Sequence, residues 1–315
     1  MDAPPPTPEP MGPATGRSRS FLPLVGLGLL TSAAALFGVW AIGQATEDFN
    51  LMGLYHFWVF PTGALIVGIA AGSGYGIGSW WTGVRISRSL LWLVVALQIA
   101  VYFAAQYIEF RHLLAAYGGG EQMGFFDFFD ESTRAISFRE EGKSDYGDPL
   151  GGWGYAFRLL ELAGFVLGGL VVPLALKAKA YCESCQVYMR TRHLVTIPAS
   201  VPAEKIKKKD LEAQTSHQQV QDEAWQAGHQ ALEALRQSAE AGRASELQRI
   251  VDEHAAHAKE VAKLPIRLTV DLSVCPSCGS GILRAASLTG HGDQIRREDL
   301  GTWPVSAGLT GSLTI

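Results

Sequence analysis

The sequence predicts a mainly α-helical membrane protein with four transmembrane helices and a small β domain that is interrupted by an α-helical hairpin. Three observations support this fold class. Apolar residues make up 48% of the 315 residues and charged residues only 18%, whereas soluble domains usually contain about a quarter charged residues. The apolar residues are concentrated in roughly the first 180 positions, and two Cys-x-x-Cys pairs follow them.

The N-terminal segment, residues 1–20, is rich in proline and alanine and has few large apolar side chains. Such a composition cannot bury enough apolar surface to form a core, so we expect a disordered tail. A segment that binds a partner is the alternative, and a solvated leader is the favoured interpretation.

Four apolar stretches follow, each close to the length of about 20 residues that a helix needs to cross a bilayer. We predict transmembrane helices over about 21–43, 53–78, 89–110 and 154–176, within a membrane domain over 21–179. A long outer loop, 111–153, joins the third helix to the fourth. The first stretch could instead be a cleaved signal peptide, but its uncharged core exceeds the usual length of about 7 to 15 residues.

Basic residues near the helix ends predict the orientation in the membrane. Three segments on one side of the predicted bundle carry them: Arg17 and Arg19, Arg85 and Arg88, and Lys177 and Lys179. The loop between the first two helices has none. Because Lys and Arg are enriched in cytoplasmic loops, both termini are expected in the cytoplasm. The Ala-, Gly- and Arg-rich composition favours the inner membrane of a bacterium.

Glycines recur at every fourth position of the second and fourth predicted helices: Gly68, Gly72 and Gly76, and Gly164 and Gly168. Small residues at this spacing let two helix backbones approach closely in lipid. We predict that they pack helices within one chain or between copies, which leaves a homo-oligomer open. A glycine-lined permeation path is the alternative.

Four ionisable residues, His56, Glu109, Arg158 and Glu161, lie near the outer ends of the predicted helices. Charges at membrane depth are costly and need partners, and Arg158 and Glu161 are spaced to share one helix face. We favour an ion-pair clamp that holds the helices together, with Glu109 joining the pair. The alternative is a polar membrane site in a carrier or sensor of a small solute, an ion or a proton.

The outer loop contains four phenylalanines, Phe125, Phe126, Phe128 and Phe129, interspersed with acidic residues. This pattern predicts a short segment at the membrane interface that turns its rings toward lipid and caps the outer mouth of the bundle.

The strongest chemical signal is the two cysteine pairs, Cys182/Cys185 and Cys275/Cys278, which are flanked by short strand-like runs. Two such turns allow four thiolates to converge on one tetrahedral zinc ion. The arrangement resembles a zinc ribbon, the family of small folds in which two hairpin knuckles hold a structural zinc. The resemblance implies a structural Zn²⁺ held by these four cysteines.

The resemblance covers 180–198 and 266–288 of a domain that spans 180–288. The two pairs are separated by about 90 residues, rather than the usual 15 to 20 or so, which indicates an insertion. Two apolar stripes with helical spacing predict that this insertion, 203–263, is an antiparallel hairpin or short coiled coil. Residues 289–315 are expected to form a C-terminal tail.

Thiol–disulfide exchange also uses Cys-x-x-Cys, so a membrane dithiol redox enzyme is the alternative for the cysteines. Two pairs in a reducing compartment favour zinc, and four cysteine ligands leave no open position for catalysis. The sequence contains no recognisable triad, carboxylate pair at a cleft or nucleotide-binding loop, and we therefore do not expect an enzyme.

The charge balance bears on the partner. The net charge is −4, and the chain from Lys177 onward has 17 Lys/Arg against 16 Asp/Glu, which argues against nucleic acid. We expect an assembly or interaction module that is anchored in the lipid bilayer and binds a protein on the cytoplasmic side through its ribbon and hairpin.

Overall fold

The computed structural model describes residues 21–46, 51–56, 60–116, 123–137, 147–202, 211–290 and 294–313. These residues belong to two compact units, a membrane unit within Thr15–Ala178 and a C-terminal unit that begins at Lys179. The predicted disorder of residues 1–20 lies outside the described ranges.

The membrane unit is helical. Its elements are α1 (Leu22–Ala45), α2 (Thr62–Thr82), α3 (Arg88–Ala116), α4 (Phe125–Arg134) and α5 (Gly154–Lys177). Among the described residues, three segments are long and apolar enough to cross a membrane: α1, the greater part of α3, and Gly151–Lys177, which includes α5. Helix α2, whose aliphatic residues are interspersed with glycine, serine and tryptophan, is not among them, so three of the four predicted spans meet this criterion.

Helix α2 begins at Thr62, later than the predicted start at 53. It follows Pro61, whose ring presets the backbone for a first helical turn and lacks the N–H that an earlier turn would need. Ahead of the helix, the backbones of His56 and Phe60 exchange hydrogen bonds of 2.8 and 3.0 Å.

Helices α2 and α5 run parallel. They are in close contact because glycines remove the side chains between them. A Cβ atom added to Gly68 would collide with the carbonyl oxygen of Phe165, and one added to Gly72 would collide with that of Gly169. The glycines predicted to pack helices all lie at this interface: Gly68, Gly72, Gly76, Gly164 and Gly168.

Helix α1 runs antiparallel to α2. Gly28 of α1 faces Tyr75, and Leu24 faces Gly78 farther along α2. Where the helices cross, the Thr31 hydroxyl donates a 2.9 Å hydrogen bond to the carbonyl oxygen of Ala71. Side-chain hydrogen bonds of this kind stabilise helix pairs in lipid, where hydrophobic burial contributes little.

Helix α4 packs three of its rings against α3, so the prediction that these rings face lipid is wrong. Phe125, Phe128 and Phe129 each contact an aromatic ring of α3, and only Phe126, at 82% exposure, projects outward. The ring partners are Tyr107, Phe110 and Phe103, at centroid distances of 5.7, 5.3 and 6.0 Å. The rings turn toward α3 because its aromatic side chains provide a surface against which they can pack.

The C-terminal unit contains a four-stranded antiparallel sheet and a separate short hairpin. The sheet consists, in spatial order, of β3 (Arg190–Pro198), β4 (Ile266–Val274), β5 (Gly281–Thr289) and β6 (Arg296–Val305). The hairpin pairs β1 (Tyr181–Cys182) with β2 (Val187–Tyr188). The segment 289–315, expected to be a tail, instead provides β6 and the short helix α9 (Ala307–Ser312), because Val305 and Leu309 are buried in the core.

The insertion between β3 and β4 contains α6 (Leu211–Glu240), α7 (Ala244–Ala255) and the single turn α8 (Ala258–Val261). Gly242, with φ of 70°, closes the turn between α6 and α7. The two longer helices pack on one face of the sheet and share a core with it. That core includes Leu232, Leu235, Leu247, Ile250, Val195, Ile197, Leu268, Val270 and Leu283.

Candidate metal centre

The first cysteine pair lies on the β1–β2 hairpin. Cys182 ends β1, and Cys185 lies in the turn before β2. Gln186 closes this turn with a left-handed backbone, φ 53°, an uncommon conformation for a residue other than glycine. The rings of Tyr181 and Tyr188 face each other across the strands at 5.1 Å and hold the hairpin together.

The second pair lies in the turn from β4 to β5. The carbonyl oxygen of Cys275 accepts a 3.0 Å hydrogen bond from the N–H of Gly279, and the Cys275 N–H donates a 2.8 Å bond to the carbonyl of Ser280. Gly279 has φ of 72°, a conformation that glycine adopts without strain. This tight turn brings the side chain of Cys278 back toward that of Cys275.

The two turns bring all four sulfur atoms together. The Sγ atoms of Cys182, Cys185, Cys275 and Cys278 lie within 4.8 Å of one another, and all four cysteines are free thiols. The Sγ atoms of Cys182 and Cys278 are 3.8 Å apart. A tetrahedral zinc ion with Zn–S bonds of about 2.3 Å requires S–S separations of about 3.8 Å, so the four residues fit such an ion.

The environment of the cluster is partly apolar. Cys182 and Cys275 are buried beside Met189, whereas Cys185 and Cys278 are partly exposed. The buried side of the cluster would shield a bound metal from water, and the partly exposed side would leave it accessible from solvent.

Hydrogen bonds adjust the acidity of the thiols. The Ser280 hydroxyl contacts Cys278 Sγ at 2.9 Å and lowers the pKa of this thiol to about 6. Hydrogen bonding with Cys278 raises the pKa of Cys185 to about 12, and burial raises that of Cys275. Ser280 therefore favours the thiolate at Cys278, the form that binds metal. Ser280 was not among the predicted site residues, although a hydroxyl two residues after the last cysteine is visible in the sequence.

In the membrane unit, Arg158 and Glu161 form a buried ion pair on α5, with Arg158 NH1 donating to Glu161 Oε2 at 3.1 Å. Gln106 of α3, which the sequence analysis missed, donates to Glu161 Oε1 at 3.2 Å. Glu109 is attracted electrostatically by Arg158, while His56 is exposed. Three of the four predicted polar residues thus interact with one another.

The chain has no match among protein-family models, curated proteins or solved structures. Its resemblance to a zinc ribbon consequently rests on the cysteine spacing and on the convergence of the four sulfur atoms.

Proposed function

We propose that the protein is a four-span inner-membrane protein whose C-terminal unit is a zinc-stabilised module that binds a protein partner in the cytoplasm. The observation that carries this proposal is the polar face of the sheet. The helices of the insertion cover the face formed by Leu268, Val270 and Leu272, so residues alternating with these, such as Asp271, point to the opposite face.

One row of that face crosses all four strands: His193, Asp271, Arg284 and Thr302 are successive register partners. His193, Arg284 and Thr302 are exposed, and Asp271 is held by His193 at 3.1 Å and by Arg297 at 3.2 Å. A row of exposed hydrogen-bonding groups on a rigid sheet is a surface that another protein can recognise without folding of either partner.

The cysteine cluster supports the module by linking the β1–β2 hairpin to the end of the sheet. Four sulfur ligands favour zinc over harder cations such as Mg²⁺ or Ca²⁺, and they leave no position open for a substrate. The metal would therefore act as a structural crosslink, and the activity of the module would be binding rather than catalysis.

The directions of the helices support a fourth span. Because α1 is antiparallel to α2, α2 is parallel to α5 and α5 is antiparallel to α3, α1 and α3 run in the same direction. Two spans in the same direction require the chain to return between them. Helix α2, with 21 residues and a length of about 31 Å, matches the hydrocarbon thickness and lies between them in the chain.

Exposed aromatic residues also support the placement of α2 across the membrane. Trp80, Trp81 and Trp92 project from the end of the unit where α2 ends and α3 begins. Trp153 and Tyr155 project from the opposite end, at the start of α5. Aromatic belts occupy the two interfaces of a bilayer, and Arg85 and Arg88 beside the first group favour a cytoplasmic position for that end.

Alkaline phosphatase, which is active only outside the inner membrane, tests the topology. Fusion after Thr46 should be active, and fusion after Val84 should be inactive because α2 has returned the chain to the cytoplasm. Activity at both positions would mean that α2 does not cross the membrane.

A photo-crosslinking amino acid at Arg284 tests the binding surface. In the native cell, the full-length protein should give one discrete protein adduct from this position. The control is Arg249 on α7, which is 69% exposed and lies on the helical side. Equal adducts at both positions, or none at Arg284, would contradict the assignment of the sheet face.

A further inference from the structure

Helices α3 and α5 meet through three pairs of residues in a regular antiparallel register. Gln98 lies against Gly169, the ring of Tyr102 lies 5.9 Å from that of Phe165, and Gln106 donates its hydrogen bond to Glu161. The pairs are four residues apart on both helices, so Gln98, Tyr102 and Gln106 form one stripe along α3.

The stripe is buried and carries polar atoms without partners. Gln98, Tyr102 and Gln106 are 0%, 1% and 0% exposed. Within the described part of the chain, both amide atoms of Gln98 and Oε1 of Gln106 have no hydrogen bond of ordinary geometry. The hydroxyl of Tyr102 has none either, although it interacts with Arg158. An unpaired buried amide or hydroxyl destabilises the fold, and it does so more strongly in a lipid environment, where no alternative partner is available.

The stripe leads to the ion pair on α5. Glu161 receives the hydrogen bond of Gln106, and Arg158 Nε is a further buried donor without a partner among the described residues. Helix α4 lies over this end, with Ser132 Oγ 3.5 Å from Arg158 NH2 and the Phe129 ring 5.8 Å from Arg158 Cζ.

We propose that a file of water molecules lies between α3 and α5, from Gln98 to the ion pair of Arg158 and Glu161. Successive members of the stripe rise by about 6 Å along α3, about twice the length of a hydrogen bond, so one water can bridge each step. The unpaired atoms include both donors and acceptors, as such a file requires. Gly169 contributes by leaving the amide of Gln98 against bare backbone.

The file of water molecules gives the membrane unit a role beyond anchoring the protein in the bilayer. It hydrates a carboxylate that would otherwise be isolated from solvent, and it places Glu161 in contact with exchangeable protons. A module that only binds a protein through its C-terminal unit has no need of such a site, so this inference is independent of the proposed function.

Cysteine accessibility in the full-length protein, reconstituted in lipid nanodiscs, tests the file. The variants Gln98→Cys, Tyr102→Cys and Gln106→Cys are treated with a small, water-soluble methanethiosulfonate, and labelling is mapped by peptide so that the native cysteines are scored separately. Two controls are matched: Val94→Cys, one turn before Gln98 on the same face and 1% exposed, and Ile99→Cys, which is 37% exposed toward lipid.

We expect the three stripe positions to react at least about tenfold faster than Val94→Cys, since only a thiol in contact with water ionises readily and one pKa unit changes the thiolate fraction about tenfold. Reaction at Gln98→Cys as slow as at Val94→Cys, in protein that elutes like the wild type, would show a dry interface and overturn the proposal. Adding Gln106→Leu should slow the labelling of Gln98→Cys by breaking the file, and an unchanged rate would also contradict a continuous file.

Discussion

The Sγ atoms of Cys182 and Cys278 lie 3.8 Å apart although 96 positions separate the two residues in the chain. The intervening segment includes the whole α6–α7 insertion, so a metal at the cysteine cluster would close a very long loop. Loop closure of this kind links metal binding to folding, because the unfolded chain has no preformed site.

Metal removal should therefore unfold the C-terminal unit. Full-length protein purified without added zinc should contain one zinc per chain by mass spectrometry, with its thiols protected from alkylation. Cys275→Ser should lose the metal and expose the remaining thiols, while Ser277→Ala, in the same turn but outside the cluster, should retain it. Metal-free protein with a reversible disulfide would instead favour the dithiol redox enzyme.

Ser280→Ala should weaken the metal site without abolishing it. The substitution removes the 2.9 Å hydrogen bond to Cys278 Sγ, which favours the thiolate at this position. Loss of a partner of a ligand typically costs about 10- to 100-fold in metal affinity, and competition with a chromophoric chelator measures it. An affinity equal to that of Ser277→Ala would mean that the hydroxyl has no influence on the metal.

Gly72→Ala should destabilise the membrane unit by about 1 to 3 kcal/mol, because the added Cβ meets the backbone of Gly169 and the helices must move apart. Gly38→Ala in α1 is the control, since nothing lies within 4 Å of its added Cβ. Unfolding in a mixed-micelle denaturant series measures both variants. Helix propensity favours alanine at both positions, so a Gly72→Ala variant as stable as Gly38→Ala would contradict a close α2–α5 contact at Gly72.

Arg158→Met should cost about 3 to 5 kcal/mol, because it leaves the carboxylate of Glu161 buried beside Gln106 without its cation. Adding Glu161→Gln should recover much of this loss by removing the unpaired charge. Arg134→Met, which breaks the exposed pair with Asp130, should lower the stability far less, because solvent screens this pair. If the double variant is as unstable as Arg158→Met, the pair does not act as a clamp.

Local patterns in the sequence were sufficient to predict the cluster of four cysteines, which could hold a metal ion, and much of the helical architecture. Cysteine pairs at two-residue spacing, uncharged apolar stretches and glycines at every fourth position each report a short-range constraint, and such constraints survive in any compact arrangement. The spacing of Arg158 and Glu161 belongs to the same class, since one helix is enough to bring them together.

Contacts between distant segments were decided only by the tertiary structure. The sequence of β6 reads as a polar tail because its exposed face is charged, and its role appears only when Val305 packs in the core. The phenylalanines of α4 turn inward because α3 presents aromatic rings to them. Gln98 and Gln106 are ordinary polar residues in sequence, and they become a buried stripe only because α5 lies antiparallel beside α3. The spacing of residues along the chain determines local contacts, whereas these contacts between distant segments depend on which surfaces meet when apolar area is buried.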